Sequence, residues 1–112
     1  MGETIIDWTG YMQYRLRLRG FDPEMVGHIV RHSAERYVDT VTGRFVAVGQ
    51  HDKCLLMIPY ERKAGMLTPI TVHVTSRQQI NFRIKSGSLR VPSSPLLKIR
   101  CLHNSLIINI LT

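Results

Sequence analysis

The run CLLMIPYE, Cys54 to Glu61, is apolar at almost every position. A strand with one solvated face alternates apolar and polar residues, whereas a strand covered on both faces does not. The run is short and bounded by charge on both sides, so it reads as a central β-strand. Pro59 stands near its C-terminal end, where a missing amide is tolerated. A chain with one such strand must supply neighbours to flank it and helices to cover it.

The neighbours are legible on both sides. RYVDT and RFVAVGQ flank VTG, which reads as a tight hairpin connection with Gly43 at positive φ. After the apolar run, RKAGML reads as an exposed turn and TPITVHVT as a fourth strand. Simple alternation along it puts Ile70, Val72 and Val74 on one face and Thr71, His73 and Thr75 on the other.

Three helices complete the pattern. DWTGYMQYRLRLRG has Asp7 or Thr9 as N-cap and Gly20 as the terminating glycine. Trp8, Met12 and Leu16 share one face, and Arg15 and Arg19 form a cationic stripe on another. DPEMVGHIVRHS opens with Asp22 as N-cap and Pro23 at the first helical position, and buries Met25, Val26, Ile29 and Val30. SRQQINFRIKSG follows the fourth strand, capped by Thr75 or Ser76 and ended by Gly87. The predicted fold is α+β, in the order ααββββα: a four-stranded, mostly antiparallel sheet packed on one face by helices.

The composition changes after Gly87. The remainder has Pro92, Pro95, a serine cluster and no acids. The expected organisation is a folded unit over residues 1–87 and a divergent C-terminal tail over residues 88–112, with residues 91–112 adding little to the core. The formal net charge of +7 points to a polyanionic partner, nucleic acid or an acidic protein. Two cysteines in unrelated contexts, Cys54 and Cys101, read as free thiols of a reducing compartment. MGETIIDWTG lacks the basic start of a secretory signal, and SLIINILT is too short to span a bilayer. A cytoplasmic protein without membrane contact is expected.

The segments YRLRLRGFDPEMV, RYVDTVTGRFVAVG, LLMIPYE and TPITVHVTSRQQINFRIKSG, taken in that order, resemble a family of small bacterial proteins that opens on R-x-x-x-R-G. That family is similar to the RelE/ParE toxin superfamily, near its BrnT branch. The resemblance covers residues 11–87, and SGSLRVPSS departs from the pattern. It implies a RelE-like fold and the role of toxin in a type II toxin–antitoxin pair. An acidic or DNA-binding antitoxin would be the protein partner, and RNA, free or on the ribosome, the target. RelE- and BrnT-like members cut RNA whereas ParE-like members poison gyrase, so fold alone does not fix the activity. A second copy of the chain is a further candidate partner.

Metal-free RNA cleavage needs a base for the 2′-hydroxyl, cations for the phosphorane and an acid for the leaving oxygen. His73 suits the proton-transfer role, since an imidazole titrates near neutrality. Arg77 opens the third helix, where an arginine opposes the helix dipole unless it and the free amides address one anion. Arg15 and Arg19 match the R-x-x-x-R pair that the resemblance makes a phosphate contact; the alternative is a solvated helix face with ion pairs to nearby acids. His73, Arg77, Arg15 and Arg19 are therefore the catalytic candidates. Arg83, Lys85 and Tyr60 are the RNA-binding candidates, Tyr60 by stacking on a base; the alternative, favoured for Tyr60, is a buried strand-end tyrosine. His28 and His32 stand at i, i+4, but no further ligand cluster joins them, so neither metal nor cofactor is expected. The leading reading is a metal-independent endoribonuclease acting on mRNA. The alternative is a non-catalytic basic module of the same fold that binds nucleic acid or an acidic protein. A nuclease needs its histidine and arginines within reach of one phosphate; a module can spread them.

Overall fold

The structure, a computed structural model, describes residues 4–92. The elements run β1 (Ile5–Ile6), α1 (Gly10–Arg19), α2 (Pro23–His32), β2 (Glu35–Asp39), β3 (Phe45–His51), β4 (Cys54–Lys63), β5 (Met66–Pro69), β6 (His73–Thr75), α3 (Arg77–Ser86) and β7 (Leu89–Arg90). The fold is α+β, with an open mixed sheet in the order β1-β5-β4-β3-β2-β7 and β6 also paired to β4. Among the described residues, only the β1–β5 pair is parallel.

Local chemistry sets the helix ends. Thr9 accepts from the Met12 amide, and Asp22 from that of Glu24, with Pro23 opening α2. Ser76 accepts from the Gln79 amide. Gly20 and Gly87 close their helices in the left-handed region, at φ 72° and 87°, a conformation that costs glycine least. Each is a cap, or one of two candidate caps, read from the sequence: Thr9 rather than Asp7 for α1, and Ser76 rather than Thr75 for α3.

The sheet differs from the expected four strands in three ways. First, β4 runs to Lys63, and a hairpin with Ala64 and Gly65 at its tip returns as β5, so RKAGML is largely strand. Second, TPITVHVT is broken. Between the pairs Tyr60↔Pro69 and Met57↔His73, Ile58 and Pro59 of β4 face Ile70, Thr71 and Val72. That extra residue is a β-bulge, which shifts the register by one and breaks the alternation. Val72 is fully buried while Val74, expected beside it, is 45% exposed. Third, β1 and β7 add two short edge pairings that the sequence pattern does not signal.

Pro59 fits the bulge rather than a strand end. Its carbonyl accepts from the Ile70 amide at 2.8 Å. In an antiparallel strand a residue's N–H and C=O point at the same neighbour, so the donor that Pro59 lacks would face the bulge, where the ladder is already interrupted.

Helices cover both faces of the sheet, not one. On the first face, Met12 and Leu16 of α1 and Val26, Ile29 and Val30 of α2 pack with Ala47, Leu56, Ile58, Tyr60, Leu67 and Val72. On the second, Ile80 of α3 packs with Val46, Val48, Met57 and Leu89. This is why β4 is apolar throughout: its even positions serve one core and its odd positions the other. Met25, expected in the core, is at the surface. Leu89 is 1% exposed, so the buried core extends past Gly87 into the segment expected to be tail. Of residues 91–112, those from 93 onward lie outside the described residues, as does Cys101; Cys54 is a free thiol.

Candidate functional site

The bulge places β6 at an open edge of the sheet, paired with β4 alone among the described residues. His73 opens β6 and lies opposite Met57, so it shares the face of the sheet that α3 covers. It is partly covered and partly open to solvent at this edge.

Arg15 approaches the same edge from α1. Burial of Met12 and Leu16 fixes the roll of the helix, and Arg15 Nη2 donates to the Val72 carbonyl at 3.1 Å. Arg15 Nε is buried and has no hydrogen-bond partner within the protein. Arg19, one turn on, is exposed, with its guanidinium carbon 5.9 Å from the centre of the Phe21 ring. From the opposite layer, Arg83 of α3 is fixed by three contacts: Nε to Ser88 Oγ at 3.2 Å, Nη2 to Asp39 at 3.3 Å and Nη1 to Met57 Sδ at 3.3 Å.

These three arginines act on one imidazole. The His73 pKa is lowered from the usual 6.5, first by burial and then by the positive charges of Arg15, Arg19 and Arg83. Protonation of the ring is thus disfavoured, inside a field that attracts an anion.

Arg77 stands elsewhere. Both of its terminal nitrogens bind the two carboxylate oxygens of Glu35 on β2, each at 2.5 Å. Tyr37 adds its hydroxyl to Glu35 at 2.8 Å. The Arg77 hydrogen bond holds Glu35 below its ordinary pKa of 4.5, while burial and the Glu35 carboxylate push Tyr37 up to about 12. An arginine at a helix start, disfavoured by the dipole, is thus accommodated by a carboxylate of the neighbouring strand.

The RNA-binding candidates also separate. Tyr60 is 2% exposed; its hydroxyl accepts from Arg36 at 2.8 Å and its ring stacks on Phe45, which leaves no open face for a base. Lys85 is exposed on α3. Arg83 is tied to strands β2 and β4 and to Ser88 rather than presented freely to solvent. The His28 and His32 rings lie 4.9 Å apart between centroids, and no group of three metal-donor side chains occurs among the described residues.

The structure thus groups Arg15 and Arg19 around His73, as the sequence reading expected, but pairs Arg77, expected in the same site, with Glu35, and it adds Arg83, whose contribution to the His73 site the sequence reading missed. The sequence reading also missed a groove beside His73. This groove, of about 580 Å³, is lined by Met57, Val74, Thr75, Gln78, Gln79, Phe82 and Arg83. Phe82 is 69% exposed, which helical periodicity alone does not announce.

The sequence matches no protein-family model. It matches no curated protein. It matches no solved structure. No helix among the described residues is long and apolar enough to cross a membrane.

Proposed function

We propose that the chain is a RelE/BrnT-type toxin that cuts mRNA without a metal, at a site formed by His73, Arg15, Arg19 and Arg83. The observation that carries this reading is His73 at an open sheet edge, between Arg15, which binds the carbonyl of the preceding residue, and Arg83, which binds its cross-strand partner Met57. Support for the RelE-like classification comes from the resemblance over residues 11–87 and from the succession of a helix pair, an antiparallel meander and a closing helix.

In this mechanism the His73 imidazole takes the proton of the 2′-hydroxyl. The 2′-oxygen attacks phosphorus, the bond to the 5′-oxygen breaks, and water supplies that oxygen with a proton. The products are a 2′,3′-cyclic phosphate and a 5′-hydroxyl. The solvent-facing N–H groups of the Arg15 and Arg19 guanidiniums donate to the phosphorane oxygens, whose added charge strengthens those bonds in the transition state. Arg77, held by Glu35, stands outside the site. The basic surface is matched by a cytoplasmic antitoxin of acidic or DNA-binding character that covers this edge.

The test is cleavage of end-labelled RNA in EDTA, with and without ribosomes. Wild type should cut, His73→Ala should not, and Arg15→Ala and Arg19→Ala should cut more slowly. Equal cleavage by all four proteins would remove this site. Salt-sensitive RNA binding without cleavage by wild type would select the binding module instead.

A further inference from the structure

The groove beside His73 has a composition that cleavage chemistry does not require. Part of its lining is apolar, from Met57 and from Val74 at the sheet edge. One wall is the Phe82 ring, 69% exposed on a helix whose sole buried residue is Ile80. Amide and hydroxyl groups stand along it, from Thr75, Gln78 and Gln79. The Thr75 hydroxyl donates to Gln79 Oε1 at 3.1 Å, which leaves the Gln79 amide hydrogens available.

The groove is continuous with the His73 site through two residues. Met57 lines it and is the cross-strand partner of His73. Arg83 also lines it and contributes to the field at His73. An occupant therefore needs a flat apolar body, hydrogen-bonding edges and an anion attached at one end. A nucleotide has all three: a base stacks on an aromatic ring, its edges meet amides, and its phosphate meets arginine.

We infer that the groove between β6 and α3 seats the unstacked nucleobase adjoining the phosphate at His73, with Phe82 as its stacking platform and Gln78 and Gln79 at its edges. This rests on the reading of RNA as substrate. It adds a specificity-determining surface, because every base has a π-face but the edges of the four bases differ. Phe82 and Gln78 touch the base and leave the reacting atoms to His73 and the arginines.

The experiment is NMR titration of the isotopically labelled full chain with nucleoside 5′-monophosphates and, separately, with inorganic phosphate. Nucleotides should shift the Phe82 ring, the Gln78 and Gln79 side-chain amides and His73; inorganic phosphate should shift His73 and spare Phe82. Phe82→Ala should weaken nucleotide binding about 5- to 100-fold, the range of one base–aromatic stack, and leave inorganic phosphate affinity unchanged. The exposed Phe82 ring contributes little to the core, and Gln78→Ala provides a second variant, expected to weaken the nucleotide alone. Identical shifts for nucleotides and phosphate, with neither variant altering affinity, would overturn the inference even if the protein cuts RNA. Groove shifts from a protein that cuts nothing would support the groove and reject the nuclease reading.

Discussion

Arg15 on α1 donates to the carbonyl of Val72, a residue 57 positions away, and so ties the first helix to the bulge that delivers His73. Val72 lies in the bulge, between the β5 and β6 pairings with β4, and its carbonyl accepts from this α1 side chain. A guanidinium can bind that carbonyl and still present other N–H groups to an anion.

Arg15→Lys keeps a charge but loses the planar fork, and Arg15→Ala loses both. Removing the bond to Val72 should destabilise the fold by about 1–3 kcal/mol in chemical denaturation. Cleavage should fall in both variants, and further in Arg15→Ala. A lysine variant with wild-type rate would show that charge alone suffices.

His73 carries a pH signature with a defined sign. Its folded pKa lies below the unfolded 6.5, because burial and Arg15, Arg19 and Arg83 oppose the imidazolium. Between the two values the unfolded chain binds more protons, so stability rises with pH across that window and is level above 6.5. NMR should place the His73 midpoint below 6.5 and move it upward in Arg15→Ala and in Arg19→Ala. Saturating phosphate should also raise it, since the anion offsets the arginines. Cleavage should increase with pH through the same depressed midpoint, as a base requires.

The Arg77–Glu35 pair makes an independent prediction. Glu35 has a depressed pKa, so its contribution is present above the unfolded 4.5 and lost as pH falls through the folded value. The Arg77 side chain is 59% exposed, which limits the pair to less than about 1 kcal/mol. Arg77→Ala should leave neutral stability nearly intact and return the Glu35 midpoint toward 4.5. It should also leave cleavage unchanged. A loss of cleavage matching His73→Ala would put Arg77 back in the site.

Helix ends were legible because their signals are local. Thr9, Asp22 and Ser76 satisfy amides within three residues, and Gly20 and Gly87 adopt φ values that other residues avoid. Sheet organisation was less so. A bulge is a relation between two strands, and TPITVHVT carries no mark of where its partner's count falls behind. The placement of α3 across from α1 and α2 was likewise hidden, since it buries one residue, Ile80. With that face unknown, Arg83 could not be brought to His73, nor Phe82 to the groove.

Gly49 shows how closely α2 approaches the sheet. A Cβ at this position would lie 2.7 Å from both Cγ1 and Cγ2 of Ile29. Gly49→Ala should therefore destabilise by about 1–3 kcal/mol through overpacking. Combined with Ile29→Ala, which removes both crowding atoms, the effect should be clearly less than additive in a double-mutant cycle. Strict additivity would mean that α2 shifts freely to make room.

The last prediction concerns where the folded unit ends. Ser88 donates its amide to the Arg83 carbonyl, and Thr40 its amide to the Ser88 carbonyl, so the chain is held to the body past the helix cap. Leu89 then pairs with Asp39 and enters the core of Val46, Val48, Met57 and Ile80. Arg90, its neighbour, is exposed. Leu89→Ala should cost about 2–5 kcal/mol, the range for a fully buried leucine, while Arg90→Ala should change stability by less than about 0.5 kcal/mol. Cutting the chain after Gly87 should destabilise it at least as much as Leu89→Ala, because it removes the side chain and the β2–β7 pairing together. Urea denaturation of the three proteins checks this ordering. A truncated protein as stable as wild type would place the boundary back at Gly87.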